Sequence, residues 1–243
     1  MRIVSWNMRR RSVESWDYLI NTLDADIALI QEYSHLPETV DGSKVIHQTI
    51  KNRNFGNAIY AKTGKLTEIP IDAAQGGAFL VGLIEIPAGD SLVLINLYGL
   101  LEAHPDNPTR QVVHAGIHRA LSDLTFLLQG WTKPKFVNFV LAGDLNNDRR
   151  MDNHPRFRRK GKATGRIMFE RIENYGLHDC VSEFYPDHVQ TYRHNRGGYP
   201  WQLDHMFASK KILARLKNLY IDDSEQVKQI SDHNPIVADF DIL

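Results

Sequence analysis

Short apolar runs rich in β-branched residues alternate along the chain with stretches whose apolar residues recur at helical spacing. Arg2–Trp6 reads as a strand, and Trp16, Leu19, Ile20 and Leu23 then repeat along one helix face with Ser12 as the cap. Ile27–Ile30 is a continuous apolar run of the kind covered on both faces. Ala58–Ala61, Phe79–Ile86, Leu92–Leu97 and Phe136–Leu141 continue the strand pattern, and Leu203–Phe207 and Ile236–Phe240 close it. Between them Val113, Ile117, Ala120, Leu121, Leu124 and Leu128 predict a helix over Thr109–Leu128, and Ile167–Tyr175 predicts a shorter one. Turn sequences such as Pro87-Ala88-Gly89-Asp90 join neighbouring strands as hairpins, so the sheets are expected to be mixed. No low-complexity tract, internal repeat or linker breaks the pattern. A single domain over residues 1–243 follows, with Met151–Gly165 as a long polar loop of a length more often functional than idle.

Composition adds limits. With 243 residues, 42% hydrophobic and 24% charged, the chain can bury a full globular core. No apolar run approaches the ~20 residues that span a bilayer, so no membrane partner is expected. The chain enters a strand directly at Met1–Trp6, without the apolar segment or cleavage site of a signal peptide. Its one cysteine, Cys180, excludes an internal disulfide and a thiolate metal cluster. A cytoplasmic protein with no evident obligate protein partner is the expectation. The net charge of zero makes no case for nucleic acid, but the distribution is uneven. Arg149, Arg150, Arg156, Arg158, Arg159, Lys160, Lys162 and Arg166 face a single acid, Asp152, and Arg9-Arg10-Arg11 forms a second basic cluster. Such runs are solvated faces or contacts for a polyanion.

The candidate chemistry lies where apolar runs stop abruptly. Asn7 ends Ile3–Asn7, Glu32 ends Ala28–Glu32, Asp144 and Asn146 follow Val140–Gly143, Asp204 and His205 follow Trp201–Leu203, and Asp232-His233 precedes Pro235 and the last strand. Strands of a packed sheet that end on one side bring their terminal side chains to one cleft. Two or more carboxylates there bind a hard divalent cation through oxygen, and the scarcity of sulfur and histidine ligands favours Mg²⁺ or Mn²⁺ over Zn²⁺. Taken singly, each of these residues is equally well a strand end, a turn or a helix cap. Five such strand ends together point to a site.

The order Ser-Trp-Asn-x-Arg, Ile-Gln-Glu, Asn-x-Tyr, Gly-Asp-Leu-Asn, Trp-x-Leu-Asp-His and Ser-Asp-His-Asn-Pro resembles the endonuclease/exonuclease/phosphatase superfamily. That superfamily includes the pancreatic-type deoxyribonucleases and the exonuclease III-like apurinic endonucleases. Gly56–Lys62 is similar to one of its second-sheet strands, so the resemblance runs the length of the chain. It implies an α/β fold, a four-layer sandwich of two packed mixed β-sheets flanked by helices, with the active site across one edge. It also implies metal-dependent phosphoester hydrolysis. Glu32 would then be the principal metal ligand, with Asn7 and Asp232 in or near that shell. Asp144 would orient and deprotonate the attacking water, and Asn146 would hold the scissile phosphate. His233 would donate to a phosphoryl oxygen, its charged form supported by Asp204.

Two positions depart from the commonest family pattern. Tyr98 stands where the deoxyribonuclease and phosphatase branches carry His, and a phenol there is a hydrogen-bond donor rather than a ready proton source. Arg9 replaces an additional metal-shell Asp of the apurinic endonucleases, and its fork of donors suits a phosphate. Arg149, Arg150, Arg158, Arg159 and Lys160 follow Asn146 directly and are expected to hold substrate phosphates. Phe157 is either a base-stacking residue or a packing anchor, and Thr191–Arg196 offers a second rim. His35, His104, His114 and His118 are assigned no role. The reading is a Mg²⁺- or Mn²⁺-dependent endonuclease or exonuclease acting on nucleic acid, with DNA favoured by family analogy. The alternative is a phosphatase or phosphodiesterase acting on a small phosphoester or a phospholipid head group, against which Tyr98 and the basic loop argue. Intact Glu32, Asp144, Asn146, Asp204 and His233 argue against a catalytically silent binding module.

Overall fold

A computed structural model describes residues 1–11, 13–85, 91–104, 106–112, 115–130, 135–155, 164–194 and 198–242. The apolar runs assemble into two six-stranded sheets. The first contains, in spatial order, β13 (Leu216–Ile221), β14 (Ile236–Phe240), β1 (Arg2–Asn7), β2 (Ile27–Tyr33), β4 (Gly56–Ala61) and β3 (Val45–Thr49). The second runs β11 (Leu177–Asp179), β12 (Asp204–Ser209), β10 (Phe139–Asp144), β7 (Ser91–Leu97), β6 (Phe79–Glu85) and β5 (Leu66–Glu68). Each sheet has one parallel pair at its centre, β1 with β2 and β7 with β10, and antiparallel neighbours on both sides. Both are therefore mixed, as the hairpin signals imply. The shared pairing pattern has no counterpart in any sequence repeat.

Period-two alternation divides each central strand between two environments. Ile3, Ile27, Leu29, Ile59, Leu92, Leu94, Val140, Ala142, Met206 and Ala208 belong to one core that lies between the sheets. Their strand neighbours face outward. On the first sheet Val4, Trp6, Ala28, Ile30 and Val237 are covered by α1 (Val13–Asp17), the π-type turn Tyr18–Thr22 and Val227 of α6 (Glu225–Ile230). On the second, Val93, Ile95, Leu141 and Phe207 are covered by α2 (Ala115–Asp123), α3 (Thr125–Leu128) and α4 (Thr164–Asn174). The result is the four-layer helix–sheet–sheet–helix sandwich that the resemblance implies. At ~1.5–3 kcal/mol for each large apolar side chain, these three cores supply the main drive to fold.

Several boundaries differ from the sequence pattern, each for a local reason. The expected helix over Thr109–Leu128 begins only at Ala115, because residues 107–112 form a strand, β9 (Asn107–Val112), against β8 (Glu102–His104). The buried face of the helix starts at Gly116 and Ile117. The strand expected at Phe136–Leu141 is shifted to Phe139–Asp144 by its register with β7, which pairs Phe139 with Val93. Met151–Gly165 is not all loop: Met151–Asn153 makes a 3₁₀ turn and α4 starts at Thr164, while residues 156–163 lie outside the described residues. The proposed cap Ser12 also lies outside them. β3, β5, β11 and β13 escaped the sequence pattern because they are sheet edges or next to them, short or largely exposed, and carry little apolar signal.

One glycine fixes the depth of the second sheet at its active edge. Gly143 has φ +151°, and a Cβ there would lie 1.9 Å from the Leu97 carbonyl oxygen on the adjacent strand. Gly143→Ala is expected to cost at least ~2 kcal/mol of unfolding free energy, through both the backbone angle and the collision. Urea denaturation followed by tryptophan fluorescence checks this; an unchanged midpoint would show that β7 and β10 separate without cost.

Candidate active site

The inward rows of the sandwich become polar at one end. Ser5 and Asn7 follow Ile3 on β1, Gln31 follows Leu29 on β2, Asn96 follows Leu94 on β7, and Asp144 follows Ala142 on β10. Asp204 begins β12 directly opposite Asp144, and His233 stands just before β14, which runs antiparallel to β1. The sheet registers therefore deliver Asn7, Glu32, Tyr98, Asp144, Asn146, Asp204 and His233 to one edge.

Asn7 is the central polar link. Its Nδ2 donates to Asp144 Oδ2 at 3.0 Å and to Glu32 Oε1 at 3.4 Å, and its Oδ1 accepts the Arg9 amide at 2.9 Å. Carboxylates only accept, which fixes the orientation of the amide. Tyr98 Oη donates to the same Glu32 Oε1 at 3.1 Å. Asp144 Oδ1 accepts the Asn146 amide at 2.8 Å, and the Asn146 side chain bridges Gly99 O and Asp144 Oδ2 at 3.0 and 3.4 Å. His233 Nδ1 lies 2.8 Å from Asp204 Oδ2, leaving Nε2 on the Asp144 side, 3.8 Å from its Oδ2. With Nδ1–H donated to Asp204, protonated His233 presents Nε2–H to the cleft.

Backbone strain is concentrated here. Arg9, Arg10, Glu32 and Asn146 all adopt φ between 50° and 62°. Residues other than glycine rarely do so, and such strain gathers where a fixed geometry has a use. The β2–β4 register breaks between Ile30 and Tyr33, a bulge that turns Glu32 toward the cleft instead of away from it.

The electrostatics follow from burial. Asp144 and Asp204 are each 1% exposed and His233 is 5% exposed. Burial pushes the Asp144 carboxyl up to about 7; the Asp204 charge adds to that, while His233 and the Asn146 and Asn7 donors pull against it. Burial alone would lower His233, but the carboxylates of Asp204 and Asp144 outweigh it and raise the imidazole to about 10. Burial, with Asp144 and Glu32 beside it, drives the Tyr98 phenol well above its ordinary range, so it serves as a donor and not a proton source.

Two groupings could hold a cation. Asp144, Asp204 and His233 are the tightest, with ligand atoms within 4.8 Å of one another. There the imidazolium already neutralises the carboxylates, and a metal would have to displace it. The Glu32 side fits better: Glu32 and Asp144 share one neutral donor, Asn7 Nδ2, and the one cation paired with Glu32 among the described residues, Arg10 at 3.4 Å, is half-exposed and free to yield to an oxygen-binding divalent ion.

Other expected residues fall elsewhere. Asp232 sits at the margin, 3.5 Å from Arg9 Nε, and among the described residues no hydrogen bond or ion pair joins it to Glu32 or Asn7. Arg149 is paired with Glu173 and Asp179 and lies over the Phe169 ring, and Arg150 is paired with the buried Asp148. Both are engaged in ion pairs at the base of the loop, with side chains 45% and 31% exposed. Arg158, Arg159 and Lys160, with Phe157, lie outside the described residues. The sequence reading passed over the supports. Trp6 Nε1 donates to His233 O at 3.1 Å, Ser231 Oγ ties the turn to Asn7 O at 2.8 Å, and Thr191 Oγ1 accepts from the amides of Leu203 and Asp204. Ser231 and Trp6 lie inside the quoted motifs, whereas nothing in the sequence marks Thr191 as a partner of Asp204.

The Endonuclease/Exonuclease/phosphatase family model matches residues 4–233. No curated protein sequence matches the chain. The endonuclease domain of TRAS1, a telomere-specific non-LTR retrotransposon, is 21% identical, with a TM-score of 0.67 over 99% of this chain and 98% of that one. The AP endonuclease LMAP from Leishmania major is 17% identical, with a TM-score of 0.72 over 98% and 86%. The 3′ phosphatase NExo from Neisseria, solved with a product DNA hairpin, is 18% identical, with a TM-score of 0.69 over 99% of each chain. These likenesses to solved structures establish a shared fold.

Removing the Asp204 carboxylate tests the electrostatic arrangement. In the metal-free protein, Asp204→Asn is expected to bring the His233 pKa down from about 10 toward the ordinary imidazole range near ~6.5. A raised imidazole pKa contributes stability that is complete below ~6.5 and lost as pH rises through about 10, so the variant should lose this contribution already in the neutral range. NMR titration of the imidazole resonances measures the shift; an unmoved pKa would exclude Asp204 as the supporting charge.

Proposed function

The chain belongs to the Endonuclease/Exonuclease/phosphatase family, and we propose from that premise that it is a Mg²⁺- or Mn²⁺-dependent nuclease, acting on DNA through a single domain over residues 1–243. The observation that carries this reading is the continuous chain of contacts from Tyr98 through Glu32, Asn7 and Asp144 to Asn146, with the His233–Asp204 pair facing Asp144.

Each residue then has a task set by its environment. Asp144, raised to about 7, is matched to accept a proton from the attacking water near neutral pH. Asn146, in its left-handed backbone, and Tyr98 donate to the scissile phosphate only when substrate draws their protons from Asp144 and Glu32, where they rest in the free protein. His233 keeps its charge throughout the working range and stabilises the negative charge that builds on the phosphoryl oxygens. Asp204 holds that imidazole in one tautomer. The 3.8 Å between His233 Nε2 and Asp144 Oδ2 separates donor and base rather than joining them in a short bond. Glu32, with Asn7 beside it, would hold a divalent cation, whose charge would help neutralise the phosphate. Arg9, 43% exposed at its side chain, flanks the cleft and is suited to a second phosphate of the strand. The DNA preference draws on the relatives, among them an AP endonuclease and a 3′ phosphatase solved with product DNA.

Asp144→Asn and His233→Ala are each expected to reduce turnover by ~10²–10⁴-fold while the protein remains folded. The assay sets plasmid, single-stranded DNA, an abasic-site duplex, RNA and a bis-phosphodiester against Mg²⁺, Mn²⁺ and EDTA. Metal-dependent cleavage of DNA that both variants lose supports the proposal. Near-wild-type turnover in either variant, or hydrolysis confined to the small diester, would overturn it.

A further inference from the structure

Glu32 occupies a backbone conformation that it does not choose for itself, and what holds it there lies on the other sheet. At the bulge, Ile30 pairs with Ala58 and Tyr33 with Gly56, so Gln31 and Glu32 together oppose the single residue Asn57. Such a break withdraws ladder partners from buried carbonyls. Two carbonyls of the last pair before the break, Ile30 O and Ala58 O, accept from one side chain: Asn96 Nδ2 donates to them at 2.7 and 2.8 Å. Asn96 belongs to β7, in the facing sheet, and is fully buried. Its own Oδ1 accepts from Gln31 Nε2 at 2.7 Å, and Gln31, also fully buried, donates further to Leu29 O at 3.0 Å.

This is an expensive arrangement for a core. Gln31 Oε1 and Asn57 Oδ1 are buried without a hydrogen-bond partner, and Glu32 has φ +52°. Stability alone would favour a regular β2–β4 ladder lined with apolar residues. What the bulge achieves is the direction of Glu32, which an unbroken strand would aim away from the cleft.

We propose that Asn96 and Gln31 are positioning residues that staple the β2 bulge across the sandwich and thereby set the aim of Glu32 toward a divalent cation. The Asn-x-Tyr spacing then has a physical meaning. Asn96 near the end of β7 and Tyr98 just past it, two residues on, both reach Glu32: Asn96 fixes the backbone beneath it, and in the substrate-free protein Tyr98 holds its carboxylate at 3.1 Å. The inference rests on the metal-dependent reading of Glu32, and its test separates the two.

Asn96→Leu removes both donors while preserving approximate size, and Gln31→Met removes the donor to Asn96. Calorimetric titration of the substrate-free protein with Mn²⁺ is expected to show affinity weakened ~10–100-fold in Asn96→Leu and in the same direction in Gln31→Met, as for other groups that orient a metal ligand. Turnover should recover as Mn²⁺ is raised, whereas Glu32→Gln should not recover. The ¹³C shifts of Glu32 report its backbone conformation without metal or substrate, and should leave the left-handed range in both variants. Unchanged Mn²⁺ affinity with unchanged Glu32 shifts in a folded variant would overturn the staple. If Asn96→Leu does not fold, Gln31→Met carries the same two readouts. If the wild type binds no Mn²⁺ and cleaves nothing, the nuclease reading falls, and the Glu32 shifts still decide whether Asn96 and Gln31 hold the bulge.

Discussion

Closing two sheets face to face imposes a demand on every side chain of the inward rows: polar groups there must find their partners inside the protein. Over most of the interface the demand does not arise, because Ile3, Leu29, Leu94, Val140 and Met206 are apolar. At one end the rows turn to Asn7, Gln31, Asn96, Asp144 and Asp204, all buried. A lone carboxylate in that position would be neutralised or expelled. Asp144 persists because Asn7, the Asn146 amide and His233 surround it, each delivered by a different strand or loop. The site is thus one outcome of the same packing that forms the core.

That origin explains why strain and charge occur together. Bringing the polar ends of β7 and β10 side by side requires close backbone approach within the second sheet, and Gly143 and Gly99 provide it; a Cβ on Gly99 would lie 2.2 Å from Leu145 O. The left-handed residues Arg9, Arg10, Glu32 and Asn146 occur in the same turns. A site built this way has its geometry set before substrate arrives, which is what electrostatic stabilisation of a developing charge requires.

The basic segment after Asn146 carries a different lesson. As a sequence it is a run of cations, yet Arg149 and Arg150 are tied to Glu173, Asp179 and Asp148. Asp148 is buried and is held well below the usual carboxylate range: burial would raise it, but Arg150, the Gln202 amide and His188 outweigh that. These bonds anchor the loop leaving β10, while Arg9 pairs with Asp232 and Arg10 with Glu32 at the cleft. A charge run does not reveal which of its members have acids waiting for them, since Glu173 and Asp179 lie some way along the chain.

The central strands, the helices at Trp16, Ile117 and Ile172, and six of the polar residues gathered at the edge were legible from the chain because burial leaves a local mark; Tyr98 was singled out only by the family resemblance. Apolar residues repeat at a period set by backbone geometry, and an apolar run that stops at Asn, Glu or Asp shows where the interior ends. Edge strands such as Val45–Thr49 left no such mark, and the start of the helix at Ala115 rather than Thr109 was decided by a pairing between strands. The tertiary structure alone decided that Glu32 sits on a bulge, that Asn96 crosses from the other sheet to hold it, that Thr191 supports Asp204, and that Arg149 is paired with Glu173 and Asp179. Each of these is a contact between residues distant in sequence. Periodicity along a chain records which face of an element is buried, whereas the partner waiting on the other side is fixed only when the two sheets meet.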